Sequence, residues 1–339
     1  MAQRLLIDAS ALAESGFDIT TYFSNYFADA ATAGSMTFYG GTPDSAFGGT
    51  YYMNGSQVLA TYEDAEEAAL DSVVVIDGED LAYDFIHYGS TYGHGITGEV
   101  DSVTFGDWVE GETTGEQGTG EDGEIAGLAT EVVIDNLNLS AEPGSGSDAT
   151  TNAVYALYKI IQNGDADGLK DLLSGYDVRE VGTSGDDVLK GFKGNDLLIG
   201  GDGDDRMLRS AGDDILRGGD GDDILKGGRG DDVLKGNAGN DRLVGDAGND
   251  TLVGGRGDDV LIGGEGEDTF VFAKHGGSDV VRDFTVGEDT LDVSALGVDS
   301  LDDFAVTEGG NWVELSVNDV SIRLVGLTEA DLSDDIFAF

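Results

Sequence analysis

Ten aspartates recur every nine residues in the second half of the 339-residue chain, and each follows a glycine by two positions. Glycine permits left-handed turns and leaves its carbonyl accessible, while aspartate supplies a hard carboxylate oxygen. Calcium prefers six or more such oxygens, so the spacing predicts a row of Ca²⁺ sites. The predicted calcium-binding residues are Asp187, Asp196, Asp205, Asp214, Asp223, Asp232, Asp241, Asp250, Asp259 and Asp268, with Gly185, Gly194, Gly203, Gly212, Gly221, Gly230, Gly239, Gly248, Gly257 and Gly266.

A second candidate site lies where histidine is concentrated. The stretch LAYDFIHYGSTYGHG, residues 81–95, contains three tyrosines and two of the three histidines of the chain. If the part through His87 is a strand, Tyr83 and His87 share a face about 13 Å apart and cannot easily bind one metal atom. His94 lies beyond a glycine-containing turn and can fold back beside Tyr83. The ordinary alternatives are a core or sheet-surface tyrosine for Tyr83 and a turn residue for His94.

The elements that position the aspartates follow from the same repeat. A large apolar residue stands two positions after each aspartate, from Leu189 to Phe270, where it can point inward on a short strand and stack on its copy in the next coil. The pattern resembles the RTX nonapeptide repeat, a calcium-binding parallel β-helix signature. The resemblance implies an all-β parallel roll over residues 178–275 that orders in extracellular calcium. A flexible acidic linker is the alternative, but a linker has no reason to place an apolar residue at every ninth position.

The repeat is interrupted once. Arg209 and Ser210 stand where two glycines are expected after Met207. This departure predicts an incomplete calcium site or a kink at that turn.

Residues 276–339 are predicted to form a β-rich cap that ends in a secretion signal. Residues 268–294 resemble the closing coil and cap of RTX rolls, and His275 is expected there in a surface turn. The final residues, LSDDIFAF, resemble the uncleaved signal with which RTX proteins leave Gram-negative cells by type I secretion. The apolar run near Met1 is too short for a signal-peptide core. We therefore expect a secreted, extracellular protein with the type I secretion machinery as a partner.

Residues 1–177 contain no nonapeptide and are predicted to form a separate α+β domain. Helical spacing of apolar residues predicts helices within 18–30 and 150–176. Apolar runs between residues 35 and 140 predict strands. The Gly- and Glu-rich segment 110–124 is expected to be a solvated loop.

Composition excludes several classes of function. The chain has 68 acidic and 17 basic residues, a net charge of −51, which disfavours nucleic acid and anionic lipid as partners. No stretch approaches the roughly 20 apolar residues of a membrane helix, so no membrane insertion is expected. Cysteine and the HExxH and GxSxG motifs are absent, which argues against thiol chemistry, a zinc protease and a lipase of those types. We expect the protein not to be an enzyme.

The first domain resembles the HasA-type haemophores over about residues 9–177. The resemblance is carried by FYGG (38–41), LAY (81–83), HGITGEVDSVTFGDW (94–108), NLNLS (136–140) and VYALY (154–158) followed by NGDADGLKDLL. It implies a curved antiparallel sheet with helices that binds one b-type ferric haem. It also implies an outer-membrane haemophore receptor to which the haem is passed.

The resemblance assigns Tyr83 as the axial iron ligand and His94 as the histidine bonded to it, over a longer interval than in the family. A phenolate is a known axial haem ligand, and an adjacent imidazole lowers the free energy of deprotonating the phenol. The family's distal histidine is missing from residues 28–41. Either Tyr83 alone holds the iron, or His87 or, less readily, Met36 replaces that donor. The residues expected to wall the haem are Met36, Tyr39, Tyr155 and Tyr158.

These features together predict a secreted haem-binding protein for iron acquisition, joined to a calcium-folded RTX module. The shortened, histidine-free segment 28–41 supports an alternative. In it, the protein is a calcium-dependent surface or adhesion protein whose first domain does not bind haem.

Overall fold

A computed structural model describes residues 165–174, 176–209 and 211–339. Before residue 165 it describes nine strands and residues 156, 157, 160 and 161; within the strands, side chains are described only at Val103 and Ile134. The predicted helix at 18–30 lies outside the described residues.

The chain divides into two compact units. The first comprises residues 1–11 and 20–174, and the second comprises residues 12–19 and 175–339. The boundaries after residues 177 and 275 stay predictions.

The strands in the described part of the first unit pair in antiparallel fashion. Hydrogen bonds join them in the order β2-β3-β4-β5-β8-β1, while β9 pairs with β5 and β6 with β7. Val103 of β5 and Ile134 of β8 are Cα partners and are fully buried. The strands are β1 (Leu5–Asp8), β2 (Thr32–Tyr39), β3 (Asn54–Glu63), β4 (Ala69–Tyr83), β5 (Ile96–Trp108), β6 (Thr113–Thr114), β7 (Glu124–Ile125), β8 (Leu128–Asp135) and β9 (Leu139–Ala141).

Helix α1 (Ala166–Leu173) lies within the predicted helical segment 150–176. Its N-terminus is capped by Asp165, whose side chain accepts a hydrogen bond from the N–H of Gly168 over 2.9 Å. Leu169 and Leu173 stand four residues apart on one helical face and are fully buried. The α+β class of the whole first domain stays a prediction. No helix in the described part of the chain is long and apolar enough to cross a membrane.

The second unit is a parallel β-solenoid with about six turns between residues 179 and 292, as predicted for an RTX roll. Successive strands alternate between two sheets, so strands 18 residues apart in sequence are neighbours. The first sheet contains β10 (Val178–Val181), β12 (Leu197–Asp202), β14 (Ile215–Asp220), β16 (Val233–Ala238), β18 (Thr251–Arg256), β20 (Thr269–Val271), β22 (Thr290–Asp292) and β26 (Phe337–Ala338). The second contains β11 (Val188–Lys190), β13 (Arg206–Leu208), β15 (Ile224–Arg229), β17 (Arg242–Ala247), β19 (Val260–Glu265), β21 (Gly277–Val281), β25 (Val320–Val325), β24 (Trp312–Val317) and β23 (Ala305–Glu308).

One apolar side chain per nonapeptide fills the interior of the roll. Leu216, Leu234 and Leu252 are successive Cα partners in the first sheet, and all are fully buried. Leu225 and Leu243 stack in the same way in the second sheet. Burying one such side chain stabilises the fold by about 1.5–3 kcal/mol. The core is therefore two columns, and each coil depends on its neighbours.

The sheets continue beyond the last nonapeptide. Strands β23, β24 and β25 form an antiparallel meander, and β25 joins the second sheet in parallel through β21. Arg323 bonds Glu314 over 2.6 Å and lies 4.4 Å over the Trp312 ring. Phe337 in β26 stacks on Phe304 with ring centroids 5.7 Å apart. The C-terminal segment is thus rich in strands and extends the roll.

Candidate functional site

Two ladders of aspartates run along the roll, each just before the strands of one sheet. In each ladder the main-chain N–H of an aspartate donates to Oδ1 of the aspartate one coil further on. The N–H of Asp214 donates to Asp232, and the N–H of Asp232 donates to Asp250, both over 2.8 Å. In the other ladder the N–H of Asp205 donates to Asp223, also over 2.8 Å. Each coil therefore fixes the carboxylate of the next.

The second carboxylate oxygen, Oδ2, is buried in these coils without a hydrogen-bond partner among the described residues. A buried carboxylate oxygen that lacks a partner is strongly unfavourable unless a cation or proton compensates it. Each of these buried oxygens therefore needs either a bound cation or a proton. The aspartates concerned are Asp205, Asp214, Asp223, Asp232, Asp241, Asp250, Asp259 and Asp268.

Seven of these Oδ2 atoms, all except that of Asp214, face a small cradle beside the first glycine of a Gly-Gly pair or its equivalent. A Cβ built on Gly218 would overlap Oδ2 of Asp223 and lie 2.8 Å from the carbonyl oxygen of Gly236. Gly200 has the same surroundings, with Asp205 and the carbonyl of Gly218 at 2.7 Å. A carboxylate oxygen and a main-chain carbonyl oxygen that converge on one side of a glycine are the hard oxygen donors that calcium prefers. Sequence reasoning missed this glycine, although its signal is a glycine five positions before every aspartate of the series except Asp214.

The glycines that the sequence did single out lie in the turns of the roll, and their predicted role as calcium ligands stays a prediction. Gly203, Gly221 and Gly239 have φ values of 110°, 137° and 138°, which a residue with a side chain rarely adopts. A Cβ on Gly221 would also overlap the carbonyl oxygen of Gly203 one coil before. These glycines make the tight turns that let consecutive coils stack.

Burial raises the pKa of the ladder aspartates. The pKa rises to about 7 for Asp205, Asp232 and Asp241, because desolvation disfavours the charged carboxylate more than the main-chain hydrogen bond favours it. Repulsion from neighbouring aspartates raises it further. The pKa of Asp223 and Asp250 rises to about 6 for the same first cause. Protons and cations therefore compete for these oxygens near neutral pH.

The first two aspartates of the series differ from the rest. Oδ2 of Asp187 accepts from the N–H of Thr183 over 2.6 Å, and Oδ2 of Asp196 accepts from the N–H of Phe192 over 2.9 Å. In both places a larger residue replaces the second glycine of the pair. These two carboxylates are therefore satisfied more fully than those of the central coils.

The ladders also extend beyond the predicted last aspartate. The N–H of Asp259 donates to Asp279 over 3.1 Å, and the N–H of Asp268 donates to Asp289 over 3.0 Å. Burial raises the pKa of Asp279 to about 8. These intervals of 20 and 21 residues break the nine-residue count. Both aspartates nevertheless keep one feature of the repeat, an apolar residue two positions later in the sequence.

His275 lies in a surface turn, as predicted. Its φ is 67°, and 76% of its side chain is exposed. Its Nδ1 lies 2.5 Å from Oδ2 of Asp319, and the hydrogen bond lowers the pKa of that carboxyl.

The described residues locate only part of the predicted haem site. Tyr83 is the last residue of β4, and its Cα partner is Ile96 at the start of β5. Met36 and Tyr39 lie in β2, where their Cα partners on β3 are Ala60 and Gln57. The other four candidates lie outside the described residues: His87, His94, Tyr155 and Tyr158.

The family comparison covers both parts of the chain. The model described as Heme-binding protein A (HasA) matches residues 10–192, more than half of the sequence. The chain belongs to the HasA family. A second model, the RTX calcium-binding nonapeptide repeat (4 copies), matches residues 181–207, 209–243 and 235–270 of this HasA-family protein.

Solved structures similar to parts of the chain come from both groups. The holo hemophore HasA from Yersinia pestis is 16% identical, with 51% of this chain and 88% of that one covered and a TM-score of 0.33. The R3 subunit of the mannuronan C5-epimerase AlgE6 from Azotobacter vinelandii is 36% identical, with 35% and 79% covered and a TM-score of 0.31. The extracellular lipase LipA from Serratia marcescens is 24% identical, with 48% and 40% covered and a TM-score of 0.27. The chain thus spans less than half of that lipase. The comparison with curated proteins gave no match.

Proposed function

We propose that the protein is a secreted haemophore that captures one extracellular haem for iron acquisition and uses a calcium-folded roll for export. The observation that supports this most directly is the match of the HasA family to residues 10–192. We assign residues 1–177 to an α+β haem-binding domain, 178–275 to the roll, and 276–339 to a cap with the secretion signal. The haem would pass to an outer-membrane haemophore receptor.

Tyr83 is the proposed axial ligand of a b-type ferric haem. Its Cα partner, Ile96, follows His94 by only two residues, which supports His94 as the group that accepts the phenol proton or its hydrogen bond. Lowering the phenol's pKa from its usual value near 10 favours a phenolate ligand for ferric iron. His87 and Met36 are the proposed candidates for a second axial donor. The proposed aromatic walls are Tyr39, Tyr155 and Tyr158.

The proposed calcium ligands are Oδ2 of the ladder aspartates and the main-chain carbonyls of the Gly-Gly pairs. In micromolar calcium most of the cradles would hold uncompensated carboxylates, so the coils that contain them would remain unfolded. In millimolar calcium outside the cell, each ion would satisfy a buried oxygen and order a coil. This supports passage of an unfolded roll through the type I secretion machinery, followed by folding outside.

A haem titration in about 2 mM calcium, within the affinity range of extracellular modules, tests the haemophore proposal. Absorbance would be followed for the wild type, Tyr83→Phe and Tyr62→Phe. Tyr62 lies on the neighbouring strand β3, paired with Ala33, and its variant is the matched control. We expect wild type and Tyr62→Phe to saturate near one haem per chain with phenolate-type bands, and Tyr83→Phe to lose those bands. Equal, non-saturating spectra for all three proteins would refute haem capture.

The histidine-free segment 28–41 favours one alternative function. A calcium-dependent surface or adhesion protein would keep the haemophore-like domain without binding haem. In that case the titration shows no Soret band that saturates, whereas calcium still folds the roll.

A further inference from the structure

One buried arginine interrupts the series of glycines that line the cradles. The positions equivalent to the first glycine of each pair are Gly182, Gly191, Gly200, Arg209, Gly218, Gly227, Gly236, Gly245, Gly254 and Gly263. The Arg209 side chain is 0% exposed, although arginine is almost never fully buried without a charged partner. Its burial therefore needs a specific partner inside the roll.

The guanidinium of Arg209 occupies a cradle. Nη1 of Arg209 forms an ion pair with Oδ2 of Asp196, and Nε lies 3.8 Å from Oδ2 of Asp214. A Cβ built on Gly191 would fall on Nη1 of Arg209. At Gly200 and Gly218, in regular coils, the equivalent Cβ would meet the coil's aspartate Oδ2 and a main-chain carbonyl instead. The guanidinium nitrogen thus lies where the oxygens of the other coils converge.

The charges fit this placement. Asp196 and Asp214 are consecutive members of one ladder, linked by the N–H of Asp196 donating to Oδ1 of Asp214 over 2.7 Å. Both carboxylates are fully buried, and one guanidinium between them supplies the positive charge that two buried oxygens need. The Arg209 charge also opposes the rise in the pKa of Asp214 that burial causes.

We propose that Arg209 is a built-in cation that takes the place of one calcium ion, between Asp196 and Asp214. This inference rests on the proposed role of calcium in the other coils. The Arg209 charge would stabilise the coils over residues 178–214 without a calcium ion between Asp196 and Asp214. Because each coil of a solenoid stacks only on its neighbours, these coils give the following ones a surface on which to fold when calcium arrives.

The test compares Arg209→Gly with Arg229→Gly, which makes the same change at an exposed position one coil further on. Calcium binding would be counted by isothermal titration. Amide hydrogen exchange would be followed in EGTA for residues 178–214. We expect Arg209→Gly to bind one more calcium ion than the wild type and to lose tenfold or more of its amide protection in EGTA. Arg229→Gly should match the wild type in both measurements.

Three results would overturn the proposal. The first is that folded Arg209→Gly binds the same number of calcium ions as wild type. The second is that residues 178–214 of the calcium-free wild type exchange their amide hydrogens as fast as a free peptide. The third is that Arg209→Gly does not fold even in excess calcium. Arg209→Lys, which keeps a cation, should bind the wild-type number of ions. If the wild type binds no calcium at all, the proposed calcium role fails, and the EGTA exchange data still decide whether Arg209 holds these coils together.

Discussion

Asp232→Asn distinguishes a cation site from a purely hydrogen-bonded ladder. Asparagine retains an oxygen that can accept from the N–H of Asp214, which lies 2.8 Å from Oδ1, but it removes the charge. Asp232 is 1% exposed, and burial raises its pKa to about 7. At pH 8 its ionised form therefore destabilises a calcium-free roll. The rise in pKa from 3.8 to about 7, at about 1.4 kcal/mol per pH unit, sets an upper limit of about 4.5 kcal/mol. Because solvent screens part of this penalty, we expect the variant to be about 1–3 kcal/mol more stable than wild type at the lowest calcium.

The dependence on calcium should change in the opposite direction. A site with a Kd of about 10⁻⁴–10⁻³ M adds about 1.4–2.7 kcal/mol at about 10 mM calcium, and each site adds about 1.4 kcal/mol per tenfold rise once calcium exceeds Kd. Urea unfolding at a series of calcium concentrations gives this slope. We expect the slope for Asp232→Asn to be smaller by that one-site amount.

Asp231→Asn is the matched control for this experiment. Asp231 is adjacent and exposed, and its Oδ1 accepts from the N–H of Asn249 over 2.7 Å. The variant makes the same change in charge and can keep the acceptor, so its calcium slope should equal that of wild type. Equal slopes for wild type and Asp232→Asn, or lower stability of Asp232→Asn at the lowest calcium, would refute the reasoning.

Three further changes test the roll. In calcium-free protein, β signal in far-UV circular dichroism should increase from pH 8 to pH 5, because aspartates with a folded pKa of about 6–7, against 3.8 unfolded, bind more protons in the folded roll. That stability is complete below about pH 4 and is lost as the pH rises through the folded pKa values; β signal that falls on acidification would contradict it. Leu243→Ala, at a fully buried position, should lower the free energy of urea unfolding in calcium by about 2–5 kcal/mol, and a loss below about 1 kcal/mol would argue against a stacked core. Gly245→Ala places a Cβ against Oδ2 of Asp250 and 2.5 Å from the carbonyl oxygen of Gly263, so isothermal titration should find one calcium ion fewer than in wild type; an unchanged count would remove the cradle as a site.

The regular part of the roll could be predicted from sequence because its period carries the structure. A residue such as Leu234 recurs every nine positions, and period fixes both which side chain points inward and which strands pair. Asp279 and Asp289 escaped this reasoning because insertions change the interval while the fold restores the register. Counting nine residues does not find these two aspartates, whereas the pattern of an aspartate followed two positions later by an apolar residue is still present.

The role of Arg209 could not be predicted, because it depends on which residues the coil brings together. Arg209 and Asp196 are 13 positions apart in sequence, and a nine-residue pattern gives no reason to pair them. Gly191 lies one full coil before Arg209, and its missing side chain leaves the space that the guanidinium fills. The sequence indicated that a pair of glycines was absent, but only the structure shows that the Arg209 guanidinium lies in the cradle.

The prediction for Tyr83 was limited for a different reason. Side-chain alternation along one strand predicted that Tyr83 and His87 share a face. The described strand β4 ends at Tyr83, so this prediction depended on a strand longer than β4. Tyr83 is paired with Ile96, so the start of β5 lies beside the tyrosine. From the sequence alone, only a turn that folds back after Tyr83 could be predicted.

Charge connects the two proposals about the roll. A chain with a net charge of −51 repels itself, and every regular coil adds buried carboxylates that favour folding only when a proton or a cation compensates them. In the proposed function calcium supplies that compensation at neutral pH, while protons replace it only below the raised pKa values of the ladder. Arg209 is present under all of these conditions. Because the Arg209 charge belongs to the chain itself, the coils over residues 178–214 do not need calcium at that point, and they should be the last to unfold as calcium is withdrawn.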